Sequence, residues 1–97
     1  MKSFNVAMVG GGSGGLAILD MITQHSFHHL QMELVGVADA NPEAPAMNRA
    51  RSLRIYTTSD YRDLFTIQDL HMLIEVTGDP AVRQALEQEK PTHVHLM

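Results

Sequence analysis

Apolar and polar positions along the chain change their period several times, and each change marks an element. Phe4 to Val9 (FNVAMV) is a short β-prone run, stopped by a glycine cluster from Gly10 to Gly15 (GGGSGG). From Gly15 to about His25 the spacing turns helical. Leu16, Leu19 and the pair Ile18/Ile22 recur every three or four residues, leaving Asp20 and Gln24 for the polar side. Met32 to Ala38 (MELVGVA) is apolar at nearly every position, the pattern of a parallel strand buried on both faces, and it ends at Asp39. Asn41-Pro42-Glu43 forms a turn that opens a helix running through Ala50 toward Leu53. Ile55 to Thr57 is a short strand, after which Ser59 or Asp60 can cap a helical turn holding Tyr61, Leu64 and Phe65. Leu70 to Val76 (LHMLIEV) reads as another buried strand. Asp79-Pro80 gives an N-cap followed by proline at the first helical position, with helix from Ala81 to Glu89. Pro91 stops it, and His93 to Met97 (HVHLM) is the last strand.

Strands alternate with helices throughout. Strands joined by crossover helices pair in parallel, with right-handed crossovers. The expected fold is therefore α/β: residues 1–97 form a single doubly wound domain of five parallel strands in the order 3-2-1-4-5, with helices on both faces.

The glycine cluster carries the chemistry. Gly10, Gly12 and Gly15 fit G-x-G-x-x-G directly after a strand and at the opening of a helix, the setting in which that pattern binds a dinucleotide. Gly10 lets the chain turn sharply, Gly12 removes a Cβ so that backbone can approach a pyrophosphate, and Gly15 lets the helix pack close to the strand. N–H groups at the helix start, with the positive end of its dipole, then face the phosphates. The whole loop of Gly10, Gly11, Gly12, Ser13, Gly14 and Gly15 is the candidate phosphate cradle, with the Ser13 hydroxyl as an extra donor. Asp39 lies 24 positions beyond Gly15, near the usual separation of about 20 for the acid that accepts from the adenosine ribose hydroxyls. A carboxylate there repels a 2′-phosphate. Ala40 and Asn41 follow it, and the nearest arginines along the chain, Arg49 and Arg51, fall on the next helix. NAD is therefore favoured over NADP. Another nucleotide, S-adenosylmethionine or a plain tight turn with a capping aspartate are the competing readings, while 97 residues leave nothing to enclose a flavin.

Composition narrows the field further. Hydrophobic residues are 44% and charged residues 19%, as in ordinary globular domains. The absence of cysteine excludes disulfides, thiolate zinc sites and a thiol nucleophile. A net charge of −4 with scattered Lys and Arg argues against a nucleic-acid or anionic-membrane surface. The apolar runs are far short of the roughly 20 residues that span a bilayer, and the N-terminus lacks signal-peptide features, so the expected setting is cytoplasmic.

The segments VGGGSGG, VGVADANPEAP and IEVTGDP together resemble the N-terminal NAD(P)-binding domain of the glucose–fructose oxidoreductase and inositol dehydrogenase family. They also resemble small Rossmann domains attached to bacterial PAS-containing sensor histidine kinases, and this second match is the closer one. The resemblance implies a cofactor-binding domain with Gly10, Gly12, Gly15 and Asp39 at the matching positions. It also implies that Thr77 and Gly78, after the fourth strand, pass near the nicotinamide-side ribose. The function so implied is an NAD(H)-binding sensor or regulatory module of a signal-transduction histidine kinase. The alternative is the cofactor half of an NAD-dependent oxidoreductase, and a third reading is an interaction domain that kept the fold without the ligand. The oxidoreductase family carries a catalytic lysine in a Glu-Lys-Pro motif after strand 5. Here Glu89-Lys90-Pro91 precedes that strand, so the catalytic role is not carried over, and lysine then proline is read as a helix stop.

Chemistry on a nicotinamide needs a substrate pocket and a positioned acid or base, and no catalytic constellation is evident in the 97 residues. The expectation is a domain of a longer chain, or one completed by another copy, with the last strand as an exposed edge suited to pairing as a homodimer. Other features receive plainer readings. His25, His28 and His29 sit where the first helix ends and lack a third zinc ligand nearby; His93 and His95 share a solvent-facing side of the last strand. No metal site is assigned. Arg49, Arg51 and Arg54 read as a solvated face, and Met8, Met21, Met32 and Met72 as core filling. Glu75, inside an apolar strand near Thr77-Gly78, either holds neighbouring N–H groups or reaches a ligand hydroxyl.

Overall fold

The computed structural model describes residues 2–24 and 30–97. Strand β1 (Lys2–Val9) runs into helix α1 (Ser13–Gln24), followed by β2 (Leu30–Ala38), α2 (Pro45–Ser52) and β3 (Tyr56–Thr58). A 3-10 helix (Tyr61–Thr66), β4 (Met72–Glu75), α3 (Pro80–Glu89) and β5 (His95–Leu96) complete the chain. The strands form one parallel sheet in the order β3-β2-β1-β4-β5. This is the doubly wound, Rossmann-like α/β fold expected from the strand–helix alternation.

Side-chain alternation along β1 explains why it sits at the centre. Val6 and Met8 point into one core with Leu19 and Ile22 of α1, Met47 and Ala50 of α2, and Leu34 and Val37 of β2. Ala7 and Val9 point into the other, with Leu64 of the 3-10 helix, Leu86 of α3, and Leu70, Leu73 and Val94. A stretch buried on both faces must be apolar at every position, which holds for Val6–Val9. Opposite it, β2 carries a bulge: Val6 pairs with Leu34 but Ala7 with Gly36, leaving Val35 as the extra residue. Gly36 lies under this packing: a Cβ would sit 2.8 Å from Leu64 Cδ2 and 2.9 Å from Ile67 Cδ1, so those side-chain ends would have to shift.

Several boundaries differ from the sequence reading, each for a local reason. α2 opens at Pro45 rather than at the Asn41-Pro42-Glu43 turn, because Asn41 folds back to accept from the Glu43 N–H and proline then takes the first helical position. The crossover between β3 and β4 is a single 3-10 segment, its N-cap Asp60 accepting from the Arg62 N–H. β4 and β5 are shorter than the apolar runs around them, since β5 pairs only with Met72 and Leu73. His93 thus lies before β5, while Val94 is buried in the core and His95 is exposed. The cluster His25, His28 and His29 lies outside the described residues.

Candidate functional site

The strand order reverses between β1 and β4, and the loops leaving their carboxyl ends diverge there to open a crevice. Each glycine of the first loop has a distinct part in shaping it. Gly10 turns the chain with φ 115°, a conformation that strains any side chain. It lies so close to the next loop that a Cβ would be 3.0 Å from the backbone of Val76 and Thr77. Its N–H donates to Ala38 O at 2.8 Å, fastening the turn to the end of β2. Gly15 brings α1 down onto this turn: a Cβ would overlap Gly10 O and reach Met8 Cε at 3.4 Å. Gly11 is enclosed by Met47, Ala44 and Asp39 at 3.1–3.2 Å from where its Cβ would be.

Gly12 and Gly14 are different, with nothing within 4 Å of an added Cβ. The N–H groups of Gly12, Ser13 and Gly14 find no acceptor among the described residues. Unpaired donors at the start of a 12-residue helix, backed by its dipole, form a surface made for an anion.

Asp39 extends this loop's order into the second crossover. Its Oδ2 accepts from the Gly11 N–H at 2.5 Å and its Oδ1 from the Asn41 N–H at 2.8 Å. A carboxylate has about four acceptor directions, so two remain after these bonds are made. The same side chain can therefore clasp the glycine loop and still receive both hydroxyls of a vicinal diol.

A cavity of about 690 Å³ joins these parts. Val9, Ala38 and Val76 give it an apolar base at the strand ends, while Gly10, Gly12, Asp39 and Thr77 stand around it. The volume lies within the range of about 300–1,000 Å³ typical of small-molecule sites. Four of the predicted residues thus meet in one space. Gly11 reaches it through Asp39, Ser13 and Gly14 stand at the helix start, and Gly15 lies beneath as a packing residue. Gly78 is in the turn after β4 with φ 74°, its Cβ position open.

The sequence reading missed the opposite wall, which is Ser59, Asp60, Tyr61 and Arg62 with Val82. β3 is the neighbour of β2, and Asp39 N donates to Thr58 O at 3.2 Å, so the segment after β3 lies beside the acid. The predicted strand order contained that signal. Arg49 and Arg51, the nearest arginines along the chain, do not line the cavity. Arg49 pairs with Asp20 of α1 at 2.9 Å, and Arg51 donates to Pro42 O and Asn48. Arg62 is the one that lines the cavity. It donates through Nε to Glu89 at 3.0 Å and lies 3.7 Å from Asp60, with its guanidinium 5.3 Å from the Tyr61 ring centre. The Tyr61 phenol donates to the other oxygen of Glu89 at 3.0 Å. Its pKa is raised, first by burial and then by that bond to a carboxylate.

Glu75 resolves into the first of its two readings. Its Oε2 accepts from Thr77 N and Thr77 Oγ1, both at 2.6 Å, and from Gly78 N at 3.1 Å. Thr77 Oγ1 in turn accepts from Asp79 N, and Asp79 caps α3 by accepting from Ala81 N. The Thr77 hydroxyl is the main reason the carboxyl is held below its usual pKa; burial opposes this, while the two N–H donors and Arg83 add to it. Glu75 therefore fixes the loop that carries Thr77 into the cavity. Lys90 is likewise structural: its Nζ donates to Val94 O at 2.7 Å, tying the end of α3 to the approach to β5.

No protein-family model matches the chain, and no curated protein does. Solved structures do. A levoglucosan dehydrogenase in complex with NADH and L-sorbose is 30% identical over 79% of this chain, with a TM-score of 0.58. A myo-inositol dehydrogenase from Corynebacterium glutamicum matches over 93% at 20% identity and a TM-score of 0.61. The homoserine dehydrogenase of S. aureus matches over 99% at 21% identity and a TM-score of 0.62. This chain spans only 22%, 27% and 25% of those three proteins. The histidine-kinase resemblance has no counterpart among the three. The chain thus shares its Rossmann-type fold with part of several dehydrogenases, one of them solved with NADH bound.

Proposed function

We propose that this chain is an NAD(H)-binding domain, the cofactor half of an oxidoreductase whose substrate-binding part lies outside these residues. One observation carries the reading. Gly12, which opens a helix start whose N–H groups at Gly12, Ser13 and Gly14 find no acceptor among the described residues, and Asp39, with two spare acceptor directions, line a single cavity. A pyrophosphate requires the first and an adenosine ribose the second. NAD(H), when bound, supplies hydride transfer. The chain's own contribution is to hold the phosphates at α1, the adenosine diol at Asp39, and the nicotinamide half toward Thr77 and Gly78. The levoglucosan dehydrogenase structure with NADH supports this choice of cofactor. The cover over the nicotinamide then comes from another domain or another copy. The sensory role in a histidine kinase gains no support from the similar structures, all three of which are dehydrogenases.

Calorimetric titration with NADH, NAD+, NADP+ and ATP tests the proposal. Binding of NADH and NAD+ well ahead of NADP+ and ATP is expected. Equal affinity for ATP and NADH would show a general phosphate site instead.

A further inference from the structure

The wall formed after β3 is arranged for more than enclosure. Arg62 has a side chain 62% exposed, yet it is held on three sides. Glu89 takes its Nε, Asp60 its Nη1, and Tyr61 lies beneath the guanidinium. Each contact this exposed contributes little to stability, and together the three bias the side chain toward one position. Its Cζ lies over the Tyr61 ring, 5.3 Å from the centre, and the residue lines the cavity that Asp39 also lines. A planar cation bordering a cavity is a stacking surface for an aromatic base. The arginine's charge is meanwhile already met by two carboxylates.

Building on the NAD(H) reading, we propose that Arg62 is the wall against which the adenine ring stacks, and that Glu89 keeps it from serving as a 2′-phosphate receptor. An arginine beside the ribose acid would ordinarily welcome NADP. Here Glu89, reaching across from α3, commits that guanidinium elsewhere, making it a second determinant of cofactor choice alongside Asp39.

The test is titration of the wild type, Arg62→Ala, Arg62→Lys and Glu89→Gln with ADP-ribose, NAD+ and NADP+, with thermal unfolding confirming that each variant folds. Loss of stacking weakens ADP-ribose and NAD+ about tenfold in both Arg62 variants, because lysine keeps the charge but not the plane. Glu89→Gln raises NADP+ affinity relative to NAD+ several-fold. Wild-type affinity in Arg62→Lys would overturn the stacking role, as would an Arg62→Ala variant that loses only NADP+. An unchanged NADP+/NAD+ ratio in Glu89→Gln would overturn the role of Glu89. The underlying reading fails separately, and this inference with it, if the wild type binds neither ADP-ribose nor NAD+.

Discussion

Gly14 and Gly15 are adjacent in one helix, yet the structure assigns opposite outcomes to the same substitution. An alanine Cβ at position 15 overlaps Gly10 O and sits 3.1 Å from Gly10 C, so α1 must move away from the turn by about an ångström to regain normal contact. Forcing extra atoms into such packing costs about 1–3 kcal/mol, and the helix-forming advantage of alanine over glycine returns at most about 1. The neighbouring contact is backbone and cannot swing aside, which places the cost at the upper end, for a net loss of about 2 kcal/mol. At position 14 nothing lies within 4 Å of an added Cβ, and only the helix-forming gain remains, up to about 1 kcal/mol. In a domain of this size 1 kcal/mol moves Tm by about 4–8 °C. Differential scanning calorimetry should therefore find Gly15→Ala lower than wild type by about 10 °C and Gly14→Ala equal or slightly higher. A Gly15→Ala protein as stable as wild type would refute the close approach of α1 to Gly10.

Other substitutions probe the remaining parts of the site. Asp39→Ser removes a charge that repels a 2′-phosphate, so the NADP+/NAD+ affinity ratio should rise about tenfold, equivalent to about 1.4 kcal/mol; loss of the Gly11 and Asn41 bonds should also lower Tm by several degrees. Glu75 has its pKa lowered by folding, so it binds a proton less readily in the native state than in the unfolded one. Its stabilisation is complete above the ordinary carboxylate range and is lost as pH falls through and below it. Urea unfolding between about pH 6 and pH 3 should show a steeper acid loss for wild type than for Glu75→Gln. Lys90→Ala should cost about 1 kcal/mol by losing the bond to Val94 O, while NADH affinity stays unchanged; a large loss of binding would return this lysine to the site.

The sheet is legible because the carboxyl-terminal halves of β1 and β2, Val6–Val9 and Leu34–Ala38, are buried or nearly so on both faces and are apolar at each position. The glycine loop was equally readable, since the turn at Gly10 and the helix contact at Gly15 tolerate no side chain and leave their demand in the sequence. The position of Asp39 at the end of β2 is legible, but its clasp on Gly11 is not: a hydrogen bond between residues 28 apart leaves no periodic trace. Arg62 was hidden for a related reason. It has no motif of its own, and only the adjacency of β3 to β2 carries it to the cavity that Asp39 lines, while Glu89 reaches it from a different crossover. The ends of β4 and β5 fall inside their apolar runs because such runs report burial, whereas strand ends depend on which neighbouring residues pair.

Gly12 offers the most direct test of the central claim, because an added Cβ there meets nothing in the protein within 4 Å and lies where the account puts the pyrophosphate. NADH should be titrated calorimetrically into the wild type and Gly12→Val, with unfolding curves run in parallel. The account predicts saturable one-to-one binding to the wild type and loss of at least tenfold affinity in a variant of near-native stability. Equal binding by both proteins, or no binding by the wild type, would contradict it.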